Sequence, residues 1–154
     1  MQLYLVRHGE AVSSSIDKEQ PLSPLGTKQV ETLCEVLQDS LLYVEEILHS
    51  PKKRAKQTAE LLARGLKLQC PLLERDDLMP MDPIESILHE LRSAERNLMI
   101  VGHLPFMDRL LSSLLLGNED NNFFNFTGSS MVALENVSGT WRIIWALSPS
   151  LYGK

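Results

Sequence analysis

The stretch Asn97-Leu98-Met99-Ile100-Val101-Gly102-His103-Leu104-Pro105 decides the fold. Its unbroken apolar run reads as the clearest buried strand in the chain, and Pro105 suits the opening of a helix. That helix carries Met107, Leu110, Leu111, Leu114 and Leu115 on one face. Working back, Ile84, Ile87, Leu88 and Leu91 repeat the helical spacing, and Leu68 to Leu73 is a candidate short strand. Ser50-Pro51 reads as an N-cap followed by proline at the first helical position, opening a helix faced by Ala55, Ala59, Leu62 and Leu66. Before it lies a strand over Glu45 to Ser50. A helix from Gly26, with Val30, Leu33, Cys34 and Leu37 on one face, and a first strand Gln2 to Val6 complete the N-terminal half. Downstream, Met131 to Glu135 and Trp141 to Leu147 flank a turn signal at 136–139, a hairpin pattern. The order implies an α/β fold: a mostly parallel sheet with helices on both faces and a C-terminal β-hairpin.

The 154 residues, 44% hydrophobic and 23% charged, suit one globular domain spanning 1–154 and exclude a disordered chain. No repeat or low-complexity segment marks a boundary. A net charge of −5 opposes a general nucleic-acid or anionic-membrane binder, which needs a broad positive field. Cys34 and Cys70 are too few for a disulfide framework and have no CxxC spacing. No apolar run approaches the ~20 residues of a membrane helix, and the six uncharged residues before Arg7 are too few for a secretory leader. The expected setting is the cytoplasm.

In open α/β sheets ligands bind beyond the carboxyl ends of the strands. Three strand ends here each deliver a basic group. The first ends in Arg7-His8-Gly9. The second leads through Ser50-Pro51 to Arg54, and the strand quoted above ends in Gly102-His103. Two of these ends enter helices, whose free N–H groups favour negative charge. Two guanidinium forks and two imidazoles suit a tetrahedral oxyanion such as a phosphoryl group. Gly9 lets the backbone turn sharply and come close to a ligand. One imidazole can attack phosphorus, while the arginines stabilise the equatorial oxygens.

Arg7-His8-Gly9, Pro21-Leu22-Ser23-Pro24-Leu25-Gly26, Ser50-Pro51-Lys52-Lys53-Arg54-Ala55-Lys56-Gln57-Thr58-Ala59 and Gly102-His103-Leu104-Pro105, in that order, resemble the histidine phosphatase superfamily, with its phosphoglycerate mutase-like fold. The resemblance implies that His8 is phosphorylated during turnover and that Arg7, Arg54 and His103 form the phosphate pocket, with Gly9 beside it. It implies no cofactor. The short chain, the Gly-His-Leu-Pro form and Phe126-Thr127-Gly128-Ser129-Ser130 look most like the SixA-type phosphohistidine phosphatases. The implied substrate is then a histidine-containing phosphotransfer (HPt-like) protein.

One departure bears on the substrate. Ester-cleaving members carry a glutamate after the third strand as general acid, whereas here the region reads Glu74-Arg75-Asp76-Asp77-Leu78-Met79-Pro80-Met81-Asp82. An alkoxide leaving group needs a proton; a phosphorylated imidazole leaves more easily because its ring already carries one. Glu74, Asp76, Asp77 and Asp82 remain the candidate acids for the alternative, a small-molecule phosphomonoesterase. A third reading is a phosphate-binding module without catalysis. Lys52, Lys53 and Lys56 read as a solvated helix face, His49 as a strand histidine and His89 as an exposed helix residue. No HxxxH or HExxH spacing suggests a metal. Met79 and Met81 read as loop packing, and Ser129 and Ser130 as possible donors to phosphate.

Overall fold

The computed structural model describes residues 1–152. One sheet organises them. Its strands are β1 (Gln2–Arg7), β2 (Glu46–His49), β3 (Leu72–Glu74), β4 (Leu98–Gly102), β5 (Met131–Val137) and β6 (Thr140–Leu147), in the order β3-β2-β4-β1-β5-β6. The first four are parallel, β5 runs antiparallel to β1, and β6 runs antiparallel to β5, so the sheet is mixed, with the hairpin at one edge.

The pleat divides the core in two, because successive strand side chains point to opposite faces. Leu3, Leu5, Leu98, Ile100, Val132 and Leu134 pack on one face with α3 (Glu85–Ser93) and α4 (Phe106–Leu116). Tyr4, Val6, Met99, Val101, Met131 and Ala133 pack on the other with α1 (Pro24–Leu37) and α2 (Lys53–Gly65). Helices therefore cover both faces, as the sequence order implies. A short α5 (Pro149–Tyr152) follows the hairpin. No helix among the described residues is long and apolar enough to cross a membrane.

Several boundaries differ from the sequence reading. Helix α1 starts at Pro24, two residues before Gly26, because the Ser23 hydroxyl caps it by accepting from the Gly26 N–H at 2.9 Å. Helix α2 starts at Lys53, so Ser50 is not its N-cap. The Ser50 hydroxyl instead serves the Lys52 N–H at 3.2 Å and the His103 ring. Strand β3 is shorter and later than Leu68 to Leu73. Lys67 takes a left-handed φ of 54° and the Leu68 N–H still bonds the Ala63 carbonyl, so these residues finish α2 before pairing can begin. The hairpin closes through Ser138 and Gly139, both at positive φ (53° and 86°), the type I′ geometry that matches strand twist.

Gly26 is required by close approach. A Cβ there would lie 2.0 Å from the Glu10 carbonyl oxygen. Helix α1 therefore presses directly on the backbone just beyond β1 and fixes the segment that carries His8 and Gly9.

Candidate active site

Strand register brings the site together. Arg7 pairs with Gly102 across β1 and β4, and His49 pairs with Val101 across β2 and β4. The next residues follow from this: His8 leaves β1 level with His103, and Ser50 leaves β2 level with Gly102, one residue before His103. Ladder-like bonds continue past the strands: the His8 N–H donates to the Gly102 carbonyl at 3.0 Å and the Ser50 N–H to the Val101 carbonyl at 3.2 Å. Because β4 lies between β2 and β1, His103 sits between Ser50 and His8. Its Nε2 is 2.7 Å from Ser50 Oγ, and its ring centroid is 5.0 Å from that of His8.

His8 is held in one tautomer. Its Nδ1 lies 2.6 Å from the Gly9 carbonyl oxygen, which can only accept, so Nδ1 carries the proton and Nε2 presents a lone pair. Arg54 Nε donates to that Nε2 at 3.3 Å. Burial, with the nearby Arg54 and Arg7 guanidinium groups, pushes the His8 pKa down to about 4, against the opposing Gly9 bond. Burial lowers His103 to about 3, helped by His8, Arg54, Lys52 and Arg7. Both rings are therefore neutral at pH 7.

Arg7 reaches back to the Phe126 carbonyl through Nη1 at 2.6 Å, which fixes its guanidinium. The turn after Phe126 is sewn to β1 by the Ser129 N–H on the Arg7 carbonyl at 3.1 Å and the Arg7 N–H on the Ser130 carbonyl at 3.1 Å. Thr58, fully buried on α2, accepts from the Gly9 N–H at 3.1 Å and donates to the Arg54 carbonyl at 2.7 Å. One hydroxyl thus locks the loop carrying His8 to the helix carrying Arg54. Gly9 serves here by tight packing: a Cβ would meet the Gly26 carbonyl at 2.9 Å and Ser129 Oγ at 3.1 Å. No positive φ is involved; the space around the residue is what calls for glycine.

Buried polar atoms ordinarily find partners, yet Arg7 Nε, His103 Nδ1 and Ser129 Oγ have none among the described residues. All three belong to this edge of the sheet, so it carries polar capacity beyond what the fold itself uses. Arg7, His8, Arg54 and His103 are brought together; the loop carboxylates are not brought in with them. Asp77 grips Arg75 with both oxygens at 3.0 and 2.8 Å, and Asp82 accepts from the Met79 N–H at 2.9 Å. Glu74 and Asp76 are exposed. Ser130 is taken by Thr127 Oγ1 at 2.8 Å, leaving Ser129 as the serine with an uncommitted hydroxyl. His49 lies buried in β2, its Nδ1 donating to the Ser50 carbonyl at 2.9 Å. Among the described residues no group of three or more His, Cys, Asp or Glu could hold a metal.

Sequence reading did not find Thr58, the Ser50–His103 bond, or Asp108. Thr58 falls on the same helix face as Ala55, Ala59 and Leu62 and gives no signal of its own. Asp108, on the first turn of α4, is half-buried; burial raises its pKa while Arg7 opposes the rise. Its signal would have been an acid one turn past a strand-end histidine.

The ends of the parallel strands of this mixed α/β sheet gather two arginines and two neutral imidazoles, a set whose chemistry suits a phosphoryl group. The chain belongs to the histidine phosphatase superfamily (branch 1), whose sequence profile matches residues 3–85, and it is a phosphatase of that superfamily. It is 25% identical over 154 residues to the phosphohistidine phosphatase SixA of Escherichia coli K12, covering 97% of this chain and 94% of that one. A structure of the protein histidine phosphatase SixA complexed with tungstate matches with a TM-score of 0.86 at 25% identity, covering 98% of this chain and 99% of the other. The alpha-ribazole phosphatase of Shigella flexneri shares the fold, with a TM-score of 0.76, 18% identity and coverage of 93% and 94%.

Proposed function

We propose that residues 1–154 form one catalytic unit that removes phosphate from a phosphorylated histidine of a partner phosphotransfer protein through a phospho-His8 intermediate. The observation that carries this reading is the His8 ring, neutral, proton on Nδ1, lone pair on Nε2, with Arg54 Nε 3.3 Å from that nitrogen. His8 Nε2 attacks phosphorus. The new N–P bond forms as the substrate's N–P bond breaks, and the departing imidazole takes the bond's electron pair. The phosphorylated His8 ring keeps its Nδ1 proton, and the Gly9 carbonyl stabilises the resulting positive charge. Water then attacks phosphorus, the electron pair returns to Nε2, and phosphate leaves with the water's oxygen and its protons.

Arg7 and Arg54 face the oxygens where charge collects in the transition state. His103 Nδ1 and Ser129 Oγ add polar groups at the same edge. That the SixA structure is a complex with tungstate, a tetrahedral oxyanion as phosphate is, supports an oxyanion-binding role. The commitment of Asp77 and Asp82 elsewhere supports a substrate whose leaving group needs no added proton. The two free cysteines suit a cytoplasmic setting.

Asp108 favours a second reading, a small-molecule phosphomonoesterase, since a carboxyl with a raised pKa beside Arg7 could protonate an alcohol. The test compares phosphohistidine proteins with alkyl phosphates, using wild type and Asp108→Asn. Faster turnover of phosphohistidine, little changed in the variant, is expected. Preference for the alkyl ester, lost in Asp108→Asn, would reverse the reading.

A further inference from the structure

The positive edge of the pocket does not end at Arg54. The loop 13–20 folds against the start of α2, tied there by the Glu19–Lys53 ion pair at 3.0 Å. Together they line an open cleft whose walls include Lys18, Lys52, Lys53 and Arg54. Lys56 is exposed one turn beyond Lys52, its N–H donating to the Lys52 carbonyl at 3.1 Å. Of these lysines only Lys53 has a carboxylate within ion-pair distance among the described residues. Lys52 also acts on the pocket itself, being among the charges that depress His103.

On a chain of net charge −5, this rim is a local reversal of sign that runs on from the phosphate pocket. Arg7 and Arg54 suffice to meet a phosphoryl group; further unpaired cations outside the pocket meet only what surrounds that group. Exposed apolar side chains accompany them. Ile16, 79% exposed, lies two residues before Lys18, and Met81, 77% exposed, lies two residues after Met79, whose sulfur is 3.8 Å from Ser50 Oγ. Opposite charge across an interface steers encounter and selects partners.

We propose that the rim is a docking surface for an acidic protein segment around the phosphorylated histidine, so that flanking carboxylates set which phosphohistidines are used. This rests on the function proposed above and deepens it. The test uses two synthetic phosphohistidine peptides of equal length, one flanked by Asp and Glu and one by Ser and Gln, with wild type and the double variant Lys18→Glu, Lys56→Glu. Wild type turns over the acidic peptide about tenfold better in kcat/KM at low salt, and the preference shrinks as salt screens it. The double variant loses or inverts the preference while its rate on the neutral peptide stays within about twofold. Equal wild-type rates on both peptides, or an equal loss on both in the variant, would overturn the inference while leaving phosphohistidine hydrolysis standing. Turnover of neither peptide would overturn both. Preferential binding of a single-stranded oligonucleotide through the same lysines, with no peptide preference, would also overturn it.

Discussion

His8 and His49 stand at the ends of neighbouring regions of one sheet and make the same local bond. Each gives its Nδ1 proton to the carbonyl of the following residue, at 2.6 Å for His8 and 2.9 Å for His49. In each ring the bond places a proton on Nδ1. What separates them is the surroundings. His8 has Arg54 Nε on its Nε2 and a second imidazole 5.0 Å away. His49 is the last residue of β2, in register with Glu74 on β3 and Val101 on β4. A backbone carbonyl can choose a histidine tautomer anywhere at a strand end. In the proposed function it is the convergence of other strand ends on His8 that turns this tautomer into a phosphoryl acceptor.

Substitutions test this contrast in order of size. His8→Gln should lower kcat on a phosphohistidine substrate by on the order of 10⁴-fold or more, as loss of a nucleophile does. Steady-state kinetics, with a cooperative melting curve showing that the variant folds, would check it, and a loss under tenfold would break the contrast. Arg54→Ala should cost about 10²–10³-fold, since it removes a donor aimed at transition-state charge. The loss should fall mainly on kcat, and a pure KM effect would mean that Arg54 only binds.

pH sharpens the comparison from another side. With His8 depressed to about 4, kcat should stay level from neutral pH down to about 5 and fall as the ring protonates near 4. Stability follows the same sign. An unfolded histidine takes up a proton near its ordinary pKa, while buried His8 and His103 (about 4 and about 3) resist it. Protons therefore bind the unfolded chain preferentially once the pH drops below about 6.5. Denaturant titrations should show stability falling by roughly 1.4 kcal/mol per pH unit for each ring between about 6.5 and 4.5. His103→Asn should flatten that slope. Least of all, His49→Gln should leave kcat within about threefold and cost about 1 kcal/mol of stability, the typical worth of its bond to the Ser50 carbonyl.

Much of this architecture is legible in the chain. The run Leu98–Val101, the apolar spacings of α1 to α4 and the Ser-Gly hairpin state their elements through local physics. The basic groups following β1, β2 and β4 state the site. Sheet order is not legible, because nothing local says that β4 inserts between β2 and β1, and that insertion puts His103 between Ser50 and His8. Ser50 shows the commonest source of error. Serine before proline is a strong helix-start signal, but the hydroxyl is claimed by His103 from 53 positions away in sequence, and the helix starts later. Thr58 hides for the same reason, its partner Gly9 lying on another element.

The covalent intermediate is the most direct test of the account. Rapid alkaline quench of the enzyme during turnover preserves N–P bonds, and mass analysis of its peptides then locates phosphate. Phosphate is expected on His8, at Nε2, absent in His8→Gln and accumulating to a fraction of sites set by the hydrolysis step. Phosphate on His103 or His49, or phosphate release at full rate with none ever trapped on His8, would contradict it.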